Sequence, residues 1–285
     1  MNKANAVVVE HYRDLTKYYN FFWNRGKTHA LHFGFYDNEH RTWDAAQLNT
    51  NRVLAEMANI GPDDTVLDAG CGIGGSALWL AKERGAYVVG VSISPLQISI
   101  AKKLTKENKM ENKTEFLVAD YTDTRLVESN FSVVWALESV CHALDKKVFL
   151  KEAFRVLKPK GRIVISDGYL TKPVSELNTE NQKLLREFEE GFGSLKMVTL
   201  NEFMLAMKDI GFIDIEWQDK TQEILPDVLR VYYIARIVHP FVYLLSKFGL
   251  VSKYLPAILK TGYLHKVGVD RKLGCYGIIT ARKPA

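Results

Sequence analysis

The chain runs to 285 residues, 47% of them apolar and 25% charged, with a formal net charge of +5; this suits one large α/β domain carrying an inserted lid and excludes a disordered or low-complexity protein. The opening stretch MNKANAVVVEHYRD lacks the apolar core of a secretory signal, and no run of about 18 uncharged apolar residues offers a bilayer span, so a cytoplasmic setting is the default expectation. Cys71, Cys141 and Cys275 lie far apart and form no C-x-x-C, which argues against a disulfide framework and a zinc site.

Residues 1–60 read as a helical cap with an aromatic cluster at Tyr18, Tyr19, Phe21, Phe22 and Trp23, followed by LHFGFYD at Leu31 to Asp37. From residue 61 the pattern becomes strictly alternating: strands at Thr65 to Ala69, Ala86 to Ser92, Thr114 to Ala119, Phe131 to Ala136 and Arg162 to Asp167 enclose helices at Ser76 to Arg84, Pro95 to Lys109 and Asp145 to Leu157. Lys158-Pro159-Lys160-Gly161 supplies the stop for the last of these helices. Helices at Asn178 to Glu190 and Leu200 to Ile210 and strands at Phe212 to Gln218 and Gly274 to Arg282 complete the chain. The expected fold is a Rossmann-like, doubly wound, mostly parallel seven-stranded sheet, spanning 61–285, with a helical lid inserted at about 220–270 before the last strand.

Within that lid, Arg230, Arg236, Lys247, Lys253, Lys260 and Lys266 occur without any Asp or Glu between Val228 and Gly268. Ile237, Phe241, Leu244, Leu245 and Phe248 recur at helical spacing as one apolar face, and Pro240 and Pro256 are expected to cut the segment into short helices unsuited to crossing a bilayer. A lid over a hydrophobic pocket, touching an anionic membrane surface or an anionic lipid-like substrate, is one reading; a solvated basic helix face is the plainer one. No nucleic-acid motif accompanies the charge.

The most telling stretch is TVLDAGCGIGG, Thr65 to Gly75, where a β-branched run opens into a glycine-rich loop that can cradle a nucleotide. Gly70, Gly72 and Gly75 match the dinucleotide spacing G-x-G-x-x-G. An NAD site, however, wants an acid about 20 residues on, at the tip of the next strand. That tip is Ser92, followed by Ser94 and Gln97. Asp68, placed just before the first glycine, would repel a pyrophosphate and attract a cation. The loop therefore prefers a nucleoside with a positively charged end, such as S-adenosylmethionine.

On the segments Asp68 to Gly74, Gly90 to Gln97 (GVSISPLQ) and Ala119-Asp120, the chain resembles the class I S-adenosylmethionine-dependent methyltransferases. Through GVSISPLQ, HYRDLTKYYNFFW and ALESVCHALD it is similar to the branch holding tocopherol and sterol C-methyltransferases and cyclopropane-fatty-acid synthases. The resemblance covers about residues 8–170 well. It implies S-adenosyl-L-methionine as cofactor and S-adenosyl-L-homocysteine as product, with Asp68, Gly70 and Gly72 at the methionine end, Gln97 on the ribose hydroxyls, Asp120 on the adenine amino group, and Ser92 and Tyr121 beside them.

Methyl transfer needs position and electrostatics more than a metal, and none is expected. Glu138 and His142, after the fourth strand, are the candidate acid/base groups. The plainer reading makes Glu138 a helix cap and packs His142 under the lid. Tyr18, Tyr19, Trp23 and Trp135 could offer electron-rich faces to a cation, and Tyr18 and Tyr19 match the family's N-terminal motif as substrate-facing residues. His32 takes no role. The expected acceptor is a hydrophobic small molecule, an isoprenoid, sterol, quinone-like or other lipid compound, methylated on carbon; oxygen or nitrogen of a natural product, or a lipid sensor without catalysis, are the alternatives.

Overall fold

The computed structural model describes residues 9–10, 13, 28–192 and 196–285. Tyr18, Tyr19 and Trp23 lie outside the described residues, so the roles expected of them have no structural account. After an extended passage, helix α1 (Trp43–Met57) starts where Thr42 accepts a hydrogen bond from the Ala45 amide. Strand β1 (Thr65–Ala69) leads into a short helix α2 (Gly75–Trp79) whose last turn, Leu80–Arg84, widens before Gly85. Strand β2 (Tyr87–Ser92), helix α3 (Pro95–Glu107) and strand β3 (Thr114–Val118) follow, α3 opening on Ser94 as cap and Pro95 in its first turn.

Strand β4 (Phe131–Leu137) is succeeded by a single 3-10 turn at Val140–His142, then α4 (Lys146–Val156), capped by Asp145. Strand β5 begins at once, spanning Leu157–Leu170, so the Pro159-Gly161 stop falls inside an irregular strand rather than in a connecting loop. Helices α5 (Thr179–Phe192) and α6 (Leu200–Ile210), the latter framed by a Thr199–Glu202 capping box and a left-handed Gly211, precede β6 (Ile213–Asp219). Two helices, α7 (Leu225–Lys247) and α8 (Leu255–Asp270), then lie before β7 (Gly274–Arg282).

The seven strands form one sheet in the order β3-β2-β1-β4-β5-β7-β6. Strands β1 to β5 pair in parallel, and β7 slots antiparallel between β5 and β6. This is the doubly wound arrangement expected, and its order reverses between β1 and β4. Near-continuous apolar runs in β1, β2 and β4 bury both sheet faces, with Val66, Val88, Val133 and Trp135 in one cluster and Leu67, Val91, Val134 and Ala136 in the other. Trp135 belongs to this core and lines neither cavity described below, so the cation-facing role considered for it is overturned: β-strand alternation aims it at the packed side.

The lid departs from expectation in two ways. Helix α7 runs unbroken through Pro240 for 23 residues. Pro240 and Arg236 are both exposed, so the carbonyl that loses its partner meets water instead of core, while Pro256 sits in the first turn of α8, where a missing N–H is no loss. By length and composition α7 could cross a bilayer. Its apolar residues Ile237, Phe241, Leu244, Leu245 and Phe248 point outward, not over a pocket; Val228, Ala235 and Val242 form the buried side.

Candidate functional site

At the reversal point, the carboxyl ends of β1 and β4 face one crevice. The β1 loop turns there because Gly70 and Cys71 both donate to the Val91 carbonyl at 3.0 Å. Gly70 has φ +92°, and a Cβ on it would lie 2.4 Å from Ser139 Cβ, so only glycine lets the two strand ends meet. Gly75 answers to a different demand: its Cβ would fall 2.3 Å from the His29 carbonyl oxygen, which makes the third glycine of the motif a crossing point for the N-terminal segment. Ser139 Oγ donates to the Ala69 carbonyl at 2.6 Å, and Tyr121 Oη to the Ser139 carbonyl at 2.8 Å.

A cavity of about 250 Å³ opens from this crevice, and Asp68, Gly70, Gly72, Ser92, Gln97, Asp120 and Tyr121 all line it, together with Glu138 and His142. Asp68 is 3% exposed, and among the described residues its Oδ2 has no hydrogen-bond partner. Burial pushes its carboxyl up to about 7. An unpartnered buried carboxylate oxygen fits a ligand that brings a cationic donor, and it does not fit a diphosphate. Ser92 Oγ donates to Gln97 Oε1 at 2.8 Å and accepts from the Ser94 amide. Where the β2 tip lacks an acid, a serine instead pins the oxygen of the Gln97 amide, whose nitrogen is a donor. Asp120 Oδ1 accepts from both the amide and hydroxyl of Thr122, so the residue shapes its own turn while lining the cavity.

The loop after β4 is tethered on every side. The Cys141 amide donates to Asp167 Oδ2 at 2.8 Å, and Lys146 Nζ donates to the carbonyls of Cys141 and Ala143 at 2.8 and 2.7 Å. Glu138, at φ +48°, begins this loop. It caps no helix. Its Oε1 accepts from the Phe33 amide at 2.8 Å and the Tyr276 phenol at 2.7 Å, and Tyr276 in turn accepts from Ser166 Oγ at 3.2 Å. Burial pushes Glu138 up to about 8, despite those two donors.

Glu138 also lines a second cavity, of about 110 Å³, walled by Leu170, Leu177, Leu185, Phe188, Tyr169, Leu264 and His265. His142 faces only the first. The ring of His265, on α8, packs against Phe33 and Phe188 at 5.3 and 5.7 Å, and burial holds it down at about 4, so it is neutral. Tyr276, Phe33, Asp167 and His265 escape sequence reasoning, since none follows a motif and Tyr276 is 138 residues from Glu138. His32, left without a role, lines the first cavity, and burial keeps it near 4.

Residues 67–165 match the sequence family described as a methyltransferase domain. The chain is 31% identical over 209 residues to a sterol 24-C-methyltransferase of Saccharomyces cerevisiae, which covers 73% of this chain and 53% of that protein. It is 30% identical over 196 residues to the 27-O-demethylrifamycin SV methyltransferase of Amycolatopsis mediterranei, covering 69% and 71%. The chain spans little more than half the length of the yeast sterol enzymes it matches. Among solved structures, geranyl diphosphate C-methyltransferase from Streptomyces coelicolor A3(2), in complex with Mg2+, geranyl diphosphate and S-adenosyl-L-homocysteine, shares the fold with a TM-score of 0.75 at 19% identity, covering 99% of this chain and 98% of that one. A cavity suited to a cation-bearing nucleoside and these relatives point the same way: the chain belongs to the class I S-adenosylmethionine-dependent methyltransferases.

Proposed function

We propose that this protein moves a methyl group from S-adenosylmethionine to a carbon atom of a hydrophobic isoprenoid, sterol or quinone-like acceptor. One observation carries the reading: Glu138 is the shared wall between a nucleoside-sized cavity that holds Asp68, Gln97 and Asp120 and a second, almost wholly apolar one. When bound, the cofactor supplies an electrophilic methyl group. Asp68 and the Gly70 to Gly72 backbone would hold its methionine end, Gln97 the ribose and Asp120 the adenine. A methyl donor in one cavity and an acceptor in the other would meet at this seam, and such a displacement needs little beyond that alignment.

Carbon methylation of an alkene leaves a positive charge on the acceptor and then a proton to remove. The faces of Phe33, Tyr169, Phe188 and Tyr276, which line the apolar cavity, stabilise such a charge by about 0.5 to 2 kcal/mol each. Glu138 holds its proton at neutral pH in the empty site, and a cation in the adjoining cavity favours its ionised form. So charged, it accepts the acceptor's proton, while Phe33 N–H and the Tyr276 phenol keep the carboxylate aimed.

Incubation with methyl-labelled S-adenosylmethionine and fractionated lipid and metabolite extracts tests this directly. Label on a carbon of an isoprenoid-type product is the expected result. Label on oxygen or nitrogen would replace the reading with heteroatom methylation, and cofactor binding without any labelled product would replace it with a sensor.

A further inference from the structure

We propose that the outer face of α7 docks on an anionic lipid bilayer, placing the lid between the membrane and the apolar cavity. The inference rests on the hydrophobic-acceptor reading only for its purpose, since such an acceptor dissolves in lipid; the surface itself is read from the fold.

Tyr233, Ile237, Phe241, Leu244 and Phe248 form one stripe along α7, continued by Leu250 beyond its end. Ile237, Phe241 and Phe248 are 69%, 68% and 70% exposed. An exposed row of large apolar side chains this long is uncommon on a soluble surface and marks an interaction site. The charges beside it select the partner. From Val228 to Val269 the sequence holds no carboxylate. Arg236 and Lys247 are exposed on the same helix, each lying over a tyrosine ring, Tyr232 and Tyr243, at 5.6 and 4.7 Å. Exposed tyrosines at 233, 243 and 263 add side chains whose apolar body and polar tip suit the headgroup level.

The helix lies on the membrane and does not span it. At its start, buried Asp227 accepts from the Gly34 amide and the Tyr36 phenol at 2.7 Å each, and Arg230 stacks on Trp43 at 3.4 Å, anchoring α7 to the body of the protein. Its inner side, at Val238 and Val242, packs with Leu255, Ile258 and Leu259 of α8. Further along, the C-terminal half of α8 supplies Leu264, His265, Gly268 and Val269 to the apolar cavity. A one-sided apolar stripe with basic flanks on an anchored helix is the pattern of an interfacial helix. The lid thus has lipid-facing and cavity-facing layers one helix apart.

Flotation of the whole chain with phosphatidylcholine vesicles, with and without phosphatidylserine, tests the proposal without needing an acceptor. Wild type should partition onto the serine-containing vesicles about tenfold more than onto neutral ones, and high salt should release it. The variant I237E/F241E/F248E should lose about tenfold of that partition. The variant R236E/K247E should lose the dependence on phosphatidylserine. Both should bind S-adenosylmethionine in calorimetry as wild type does. Equal vesicle partition by wild type and the triple variant, no partition by wild type, or a dimer that the triple variant dissolves in light scattering would each overturn it. None of these outcomes touches the label-transfer experiment, so the two readings fail separately.

Discussion

The two cavities that meet at Glu138 are built in opposite ways. The cofactor side comes mainly from short loops at the ends of β1, β2, β3 and β4 with the passage at His29 to His32, and its walls mix glycine backbone, hydroxyls, an amide and carboxylates with aliphatic side chains such as Leu31, Ile73 and Leu144. The acceptor side is assembled from β5, α5, α8, β7 and the passage at Phe33, and its walls are mostly aliphatic and aromatic. Local loops fix a ligand whose shape is constant, while distant segments packed together can change their lining without disturbing the sheet. The contrast implies that specificity for the acceptor and affinity for the cofactor vary independently, with Glu138, among the described residues, the one side chain that lines both cavities.

Substitution at the seam should have the largest effect and tests this independence most directly. Glu138→Gln keeps the shape but loses the base, and should lower kcat by about 100- to 1,000-fold with cofactor affinity within about twofold of wild type. Steady-state kinetics beside calorimetry check it, and equal losses in both would merge the two halves. Asp68→Asn, on the cofactor side alone, should weaken S-adenosylmethionine binding by about a hundredfold. Since burial pushes Asp68 up to about 7, wild-type affinity should also fall as pH drops below that value, and the variant should lack this dependence.

The cofactor half was readable for a physical reason. Asp68, Gly70, Gly72 and Gln97 belong to consecutive turns of one strand-helix alternation, so sequence spacing and spatial spacing coincide. The fold was readable likewise, because buried parallel strands must be apolar and their crossovers helical. Glu138's partners were not legible: Phe33 and Tyr276 arrive from opposite ends of the chain. The lid misled through its prolines, whose cost depends on exposure, which sequence does not display. Trp135 looked like a cation's partner because strand direction, not residue type, decides which way a side chain faces.

Smaller effects sharpen the comparison. Tyr276→Phe removes a donor that lowers the Glu138 pKa. The acid limb of the kcat profile should move upward, with about a tenfold loss at neutral pH that recovers in alkaline buffer. Leu185→Ala, in the acceptor wall, should raise KM for the acceptor about fivefold with the cofactor unaffected. Stability should respond to pH as well. Asp68 and Glu138 bind protons more tightly folded, at about 7 and about 8, than at their ordinary 3.8 and 4.5. The ligand-free protein should therefore lose stability as pH rises from about 4 to about 8, its Tm falling in calorimetry, and S-adenosylmethionine should blunt the fall.

The placement of β7 carries a consequence for how the molecule is made. Strand β6 finds its sheet neighbour in β7, which is translated after both α7 and α8. A nascent polypeptide that has left the ribosome only as far as Asp270 already carries the β1 to β4 loops. Its Glu138 still waits for the phenol of Tyr276, and β6 has no strand beside it. Synthesis therefore delivers the strands of the donor side before the one that carries the phenol on which Glu138 depends.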